Sequence, residues 1–293
     1  MLQSENQAKV PKKRFYLSVD LEDFTYDTHR NLGLNPEINF QALDKCYEVI
    51  SKFLNVHLDS KKITFFTTGT VALTHPQLLA KIAQDGHEIG CHYHFHDLMQ
   101  DQSIDEIELN INLAREAIKS ACGSYPVGFR APAFSISRNR EDIYQLLAQY
   151  FEYDSSYVIQ EKEIQDGAYM HMIPFNIHNF KEFPIVTLPF FKKFNLKSGG
   201  TFFRVFSTSK IIAVLNKSIE RNCVPLIYLH PYDFLSEFEF KVPLKIFFKN
   251  QSFFSALYRY FKQFQWLGLG NKHTLQKLKA ILKDFDHIGP MKG

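Results

Sequence analysis

Cysteine is scarce in this chain, and Cys46, Cys91, Cys122 and Cys223 stand far apart with no Cys-x-x-Cys pair among them. That spacing excludes a thiolate zinc site and offers no disulfide framework, so a reducing compartment, the cytoplasm, is the expected home. Long apolar runs are also missing: nothing reaches the roughly 18 residues a membrane-spanning helix needs. Residues 1–14 form a polar, then basic, tail (Lys9, Lys12, Lys13, Arg14) without the apolar stretch of a secretory signal. Excess charge of one sign is absent too. A net charge of only +3 excludes the broad basic surface of a nucleic-acid binder. What remains is a 293-residue chain, 45% hydrophobic, with enough apolar mass for one large core.

What is there is concentrated in one stretch. Four of the twelve histidines, His87, His92, His94 and His96, fall within ten residues. If a short strand, Glu88 to Cys91, turns into a helical or tight-loop segment, His92 and His96 face one point, as a divalent metal requires. If the segment stays extended, His92, His94 and His96 share one face instead. His87-Glu88 is followed by histidine only at position 92, which is one residue too far for the zincin His-Glu-x-x-His pattern. A histidine pair alone would as readily sit solvated at a strand end. The acidic cluster Asp20-Leu21-Glu22-Asp23, at the end of the apolar run Phe15 to Val19, shifts the balance, because three carboxylates so crowded call for a cation.

The rest of the pattern alternates. Helical periodicity runs from Phe40 to Val56, with Phe40, Leu43, Tyr47, Ile50, Phe53 and Leu54 inward, and a strand follows at Ile63 to Thr67. Pro76 opens a helix that Gly86 stops. Ser103-Ile104-Asp105-Glu106 is a capping box for a helix to Gly123. Val127 to Phe129 reads as a strand ending at Arg130, Asn139 as the cap of a helix through Tyr150, and Phe151 to Tyr153 as a strand leading into Asp154. Further on, a strand is predicted at Phe183 to Leu188, a helix at Ser207 to Asn222, a strand at Pro225 to Leu229 ending at His230, and a last helix at Thr274 to Phe285. Strand and helix in alternation predict a parallel sheet with helices outside, most simply a barrel. Every polar landmark follows a strand, which is where such folds carry their sites. From Val242 onward the character changes to a basic, aromatic segment, Lys245 to Lys262, that either packs on the domain or lies on a membrane surface.

Taken in order, Asp20, Glu22, Asp23, His92, His96, Arg130, Asp154 and His230 resemble the motifs of the polysaccharide deacetylase family, the NodB-homology or carbohydrate esterase family 4 enzymes, over about residues 15–235. Ser18-Val19-Asp20-Leu21-Glu22-Asp23-Phe24, Gly199-Gly200-Thr201-Phe202-Phe203-Arg204 and Leu229-His230-Pro231-Tyr232 resemble the subgroup associated with exopolysaccharide and surface-glycan biosynthesis. The resemblance implies a distorted (β/α) barrel of seven strands in one domain, followed by a helical extension over residues 236–293 that packs on it. It also implies one divalent metal, zinc foremost with cobalt, nickel, manganese or iron as alternatives, held by Glu22 or Asp23 together with His92 and His96. Asp20 then matches the general base, Arg130 its partner, Asp154 the carboxylate that orients the acid, and His230 the general acid. The sequence departs from the family pattern in three places. Asp-x-Glu-Asp replaces Asp-Asp, Tyr93 stands where Ser or Thr is usual, and the aromatic after the Arg-x-Pro motif is displaced from Ala133 to Phe134.

The expected reaction is removal of an acetyl group from an N-acetylated sugar of a surface polysaccharide or of its lipid- or nucleotide-linked precursor. An amidohydrolase of the same fold acting on a formamide or cyclic imide is the alternative, although such relatives can lack the metal histidines retained here. An inactive glycan-binding barrel would be expected to have lost Asp20 or His230. The basic aromatic segment would suit peripheral contact with the inner membrane face.

Overall fold

The computed structural model describes residues 11–159, 177, 180–191, 194–235 and 239–292. Its strands are β1 (Lys13–Leu21), β2 (Thr64–Thr67), β3 (Glu88–Cys91), β4 (Gly128–Phe129), β5 (Tyr153–Asp154), β6 (Val158–Ile159), β7 (Lys181–Glu182), β8 (Ile185–Val186), β9 (Leu188–Phe191), β10 (Phe194–Leu196), β11 (Leu226–Leu229) and β12 (Phe285–His287). Seven of them form one parallel path in the order β11-β1-β2-β3-β4-β5-β7. No pairing joins β7 back to β11 among the described residues, so the seven-stranded barrel is open on that side. Because all seven strands run the same way, their C-terminal ends share one rim.

The strands alternate between two interiors, as a two-residue period dictates. On β1, Phe15, Leu17, Val19 and Leu21 face outward into the main core, against Leu43, Cys46, Tyr47 and Ile50 of the helix Phe40–His57. That helix starts where sequence periodicity predicts, with the Asn39 side chain accepting from Ala42 N at 3.1 Å, although Phe40 itself points to solvent and packs on His75. The other face of the sheet lines the barrel, where Phe66, Tyr153, Phe183, Leu226 and Tyr228 form a second cluster. The capping box is present, with Ser103 and Glu106 bonding each other's backbone and Gly123 left-handed at the far end of the helix Ile104–Cys122.

Three elements differ from the sequence reading. The helix Glu141–Tyr150 is entered through Arg140 without a side-chain cap, and Asn139 lies in the preceding turn. The single strand predicted at Phe183 to Leu188 is broken: Phe183 and Pro184, which cannot donate to a ladder, separate β7 from β8, and Thr187 separates β8 from β9. The last helix, Thr274–Ile281, ends early, and Phe285 instead opens β12, which pairs in parallel with Lys13 to Phe15 of β1.

Residues after 235 are therefore more than a helical appendage. Leu17 N donates to His287 Nδ1 at 3.2 Å, and Met291 N and Lys292 N both donate to Glu88 Oε2, at 2.9 and 3.1 Å. Glu88 also takes hydrogen bonds from Thr64 Oγ1 and Tyr153 OH, at 2.6 and 2.8 Å, so the chain end closes the floor of the barrel at the start of β3. Among the described residues no helix is long and apolar enough to cross a membrane.

The buried Phe285 should be integral to stability. Phe285→Ala is expected to cost about 3–5 kcal/mol in chemical denaturation; a loss below about 1 kcal/mol would show that the end of the chain is peripheral to the core.

Candidate active site and metal centre

The rim collects the predicted residues from five strand ends. β1 finishes at Leu21, and Glu22 follows with its carboxylate turned into the barrel mouth. His92 is the first residue past β3, and its backbone N–H still bonds Thr67 O at 2.8 Å. Tyr93 then adopts a left-handed φ of 69°, so the chain neither continues as a strand nor starts a helix. It bends, bringing His96 back beside His92. Tyr93 is anchored away from the mouth, its OH donating to Gln102 Oε1 at 2.6 Å. His94 leaves in another direction, packed on Phe95 and so tightly against Gly69 that a Cβ there would lie 2.3 Å from its Nδ1. The tight-loop arrangement holds and the three-histidine one does not.

Glu22, His92 and His96 each offer a donor atom, all within 4.8 Å of one another. Glu22 Oε2 lies 2.5 Å from His96 Nε2 and 3.6 Å from His92 Nε2, and it is buried without a well-aligned hydrogen bond. His92 Nδ1 faces the Arg130 carbonyl at 2.7 Å. A carbonyl only accepts, so Nδ1 carries the proton and the Nε2 lone pair points at the cluster. His96 Nδ1 is similarly turned toward Asp27 Oδ2, at 3.4 Å. Burial alone would raise the Glu22 pKa, but the His96 charge beside it holds it well below the carboxylate range. His96 is depressed by burial yet pushed up to about 9 by Glu22. Burial lifts Asp27 to about 7. An orphaned carboxylate oxygen between two correctly oriented imidazoles fits a divalent cation.

Asp23 does not join them. Its Oδ1 accepts from Thr25 N at 2.8 Å and Tyr26 N at 3.4 Å, and its Oδ2 accepts from Asn39 N. Both oxygens are spent on capping the helix Phe24–Asn31 and holding the next one.

Asp20 sits on β1, pointing into the barrel beside the fully buried Arg130. Arg130 Nη1 donates to Asp20 Oδ1 at 2.6 Å and to Ser18 Oγ at 2.8 Å, while Nη2 and Nε reach Ser155 Oγ and O at 2.9 and 3.3 Å. Asp20 Oδ2 is left facing His230 Nε2 across 3.9 Å. His230 is stacked on Tyr232, whose OH donates to Glu22 Oε1 at 3.0 Å.

The carboxylate behind His230 is not Asp154. His230 Nδ1 meets Asp233 Oδ2 at 3.0 Å, and the other Asp233 oxygen is ion-paired with the buried Arg204 at 2.6 Å. Burial pulls His230 down, but the Asp233 bond and nearby carboxylates leave its pKa raised. Asp154 instead accepts from Ser156 N and Oγ, at 2.9 and 2.7 Å, and Ser156 Oγ accepts from Ala131 N. It props the loop after Arg130. Glu182 beside it is pushed well above the usual carboxylate range by burial and by the Asp154 charge.

These groups open into one cavity of about 490 Å³. Its wall comes from Phe202 of the Gly199 to Arg204 motif and from residues that motif reading did not single out: Lys197, whose pKa burial lowers, Tyr228 and Trp266. Phe134, displaced by one position in the sequence, does line the wall, with Tyr228 packed edge-on at 4.8 Å and Lys197 Nζ 4.9 Å from its ring. A Cβ on Gly199 would sit 2.1 Å from Tyr228 O, so only glycine lets that wall close. Asp233 had a local signal, the His-x-x-Asp spacing of an N-terminal cap; Lys197 and Trp266 had none.

A family model described as polysaccharide deacetylase matches residues 40–150, and one described as a domain of unknown function (DUF3473) matches residues 159–289. Over residues 40–150 the chain carries a polysaccharide deacetylase domain. The two matches divide the site between them. His92, His96 and Arg130 fall in the first; Lys197, His230 and Asp233 fall in the second. Asp20 and Glu22 precede both. Among curated proteins, a chitooligosaccharide deacetylase of Azorhizobium caulinodans is 36% identical over 70 residues, 24% of this chain and 33% of that protein. A peptidoglycan-N-acetylglucosamine deacetylase of Listeria monocytogenes is 27% identical over 77 residues, 26% of this chain and 16% of that protein. The matched stretches thus span about a third or less of those relatives. Among solved structures, a family 4 carbohydrate esterase from Streptomyces lividans in complex with acetate aligns at TM-score 0.47 and 13% identity, covering 95% of this chain and 98% of that one. A pseudoenzyme of the same esterase family from Bacillus anthracis aligns at TM-score 0.49 and 11% identity, covering 97% and 66%.

The fourth clustered histidine, His87, belongs to the core. Ile63 N donates to its Nδ1 at 3.2 Å, and the ring packs edge-on against Phe65 and Tyr47. Burial, then Lys62, lowers its pKa from 6.5 to about 4. Between those values the unfolded chain binds the proton and the folded chain does not, so stability is full above pH 6.5 and falls as the pH drops toward 4. His87→Asn should flatten the dependence of Tm on pH in that window; an unchanged slope would contradict the assignment.

Proposed function

We propose that the protein is a metal-dependent hydrolase that removes an acetyl group from an N-acetylated sugar. The observation that carries this reading is the placement of two differently prepared groups around one set of metal donors. Asp20 lies beside buried Arg130 and His230 lies against Asp233, both within the cavity that Glu22, His92 and His96 line. Glu22, His92 and His96 would hold one divalent ion, zinc foremost, with cobalt, nickel, manganese or iron as alternatives. Bound there, it would supply positive charge to polarise the acetamide carbonyl and make water acidic.

The chain's own residues then divide the proton work. Asp20 is the general base: Arg130 occupies Oδ1, leaving Oδ2 to accept a proton from the attacking water. His230 is the general acid. Asp233 fixes its Nδ1–H and favours the imidazolium, so Nε2 donates to the departing amine, which leaves neutral while acetate remains. Asp154 acts at one remove, through Ser156 and the loop after Arg130.

Aromatic walls at Phe134, Tyr228, Phe202 and Trp266 suit the apolar faces of sugar rings. The relatives named for chitooligosaccharide and peptidoglycan N-acetylglucosamine deacetylation support an N-acetylated sugar here. Free thiols at all four cysteines support a reducing compartment, the cytoplasm, and with it a nucleotide- or lipid-linked precursor of a surface glycan. The barrel over residues 15–235 would carry the chemistry, and the extension over 236–293 would close its floor and one wall.

Acetate release from N-acetylated oligosaccharides and from nucleotide- and lipid-linked N-acetyl sugars tests the reading. Asp20→Asn should lower kcat by about 10²–10⁴ while bound metal stays near its original content. Turnover that persists, or metal that disappears with it, would overturn the base assignment. In Asp233→Asn, the alkaline limb of kcat/KM should move to lower pH, because His230 loses the charge that keeps it protonated; an unmoved limb would exclude His230 as the acid.

A further inference from the structure

The helix Phe253–Leu267 has two apolar stripes where folding needs one. Ala256, Tyr260, Gln263 and Leu267 recur at spacings of four, three and four and turn toward the protein, Gln263 bonding both the N–H and the carbonyl of Val242. Phe254, Tyr258 and Phe261 recur at four and three on the opposite side, since each residue advances by about 100°. They are 81%, 64% and 62% exposed. Phe253 and Phe248, stacked at 5.6 Å, extend the same patch. Singly exposed aromatics are ordinary; a stripe at helical spacing is not, because nothing in the fold requires it.

The charge along this segment has one sign. Between Glu239 and Asp284 the sequence contains nine Lys and Arg and no carboxylate side chain. Lys262 lies 5.6 Å from the Tyr258 ring and 5.2 Å from that of Trp266, on the flank of the stripe nearest the cavity. A hollow of about 270 Å³ lined by Tyr258, Arg259, Lys262 and Trp266 adjoins the catalytic cavity, and the two share Phe24, Thr28, Asn31 and Trp266 along their border. The stripe, its cations and the mouth of the site therefore lie next to one another.

We propose that this helix docks the protein on an anionic lipid surface, with Phe254, Tyr258 and Phe261 in the interface and Lys262 and Arg259 over the headgroups, so that the catalytic mouth opens at the bilayer. Charge complementarity selects this occupant: exposed aromatic side chains on a segment whose charges are all cationic match anionic headgroups over acyl chains, whereas a second copy of the same face would bring cation against cation. The inference deepens the proposed function by naming where the substrate is met, a lipid-linked glycan at the membrane face. It rests on that reading only for the identity of the substrate, because vesicle binding needs no turnover.

The test is co-sedimentation of the full chain with vesicles of phosphatidylcholine alone and of phosphatidylcholine with phosphatidylglycerol. Binding is expected to the mixed vesicles, to weaken with added salt, and to fall about tenfold or more in Arg259→Glu/Lys262→Glu. Phe254→Ser/Phe261→Ser should lose binding while keeping its Tm and its acetate release from a soluble substrate, since neither ring lines the catalytic cavity. Failure of the unaltered chain to bind mixed vesicles, equal binding to both vesicle types, or a dimer in solution that the Phe254→Ser/Phe261→Ser change abolishes would each overturn the proposal. Vesicle binding without deacetylation of any N-acetyl sugar would instead sink the catalytic reading and leave the docking surface standing.

Discussion

A guanidinium with no solvent contact must find partners for all its donors, and Arg130 finds them in ways that organise the mouth of the barrel. It ties β4 to β1 through Asp20 and Ser18 and to the end of β5 through Ser155, with Phe66 packed beneath it at 4.1 Å. Its carbonyl fixes the His92 tautomer. One residue thus holds the carboxylate proposed as base and orients an imidazole of the proposed metal set. Removing it would leave Asp20 buried and unpaired, which is costlier than the lost contact itself. The opposite rim repeats the device with Arg204, fully buried, pairing Asp233 and bonding Asn271. Arg130 pairs with Asp20 itself and Arg204 with the carboxylate behind His230, and Asp20 and His230 face each other across 3.9 Å.

The barrel was legible because its physics is local. Strand and helix periodicities alternate, the capping box at Ser103 sits where its residue pair predicts, and Glu88 to Cys91 forms the strand that the glycine stop before it implies. The gathering of Asp20, His92, His96, Arg130 and His230 was legible because a parallel sheet places successive strand ends on one rim. What failed was whatever depends on which of two neighbours turns inward. Glu22 and Asp23 are adjacent carboxylates, and only the helix starting at Phe24 decides that Asp23 is consumed as its cap. Asp154 ends a strand and Asp233 follows one. The i to i+3 geometry of His230-Pro231-Tyr232-Asp233 gives the nearer one the contact, whereas Asp154 is drawn down to Ser156. β12 carries only three residues, Phe285 to His287, too few for a period, and exists because β1 extends past its other neighbour.

The chain after position 235 joins three tasks that sequence reading separated. It fills the floor through Met291 and Glu88, adds β12 to the sheet, and brings Trp266 to the cavity wall. Its basic, aromatic composition is therefore not explained by packing alone: Tyr260 and Leu267 turn inward, while Phe254 and Phe261 do not.

The central claim is that Glu22, and not its neighbour, completes a metal site with His92 and His96. Elemental analysis of the purified protein beside Glu22→Gln and Asp23→Asn tests it most directly. The account predicts one divalent ion per chain in the unaltered protein, loss of that ion in Glu22→Gln, and retention in any folded Asp23→Asn. Full metal content in Glu22→Gln, or its loss in a folded Asp23→Asn alone, would contradict it.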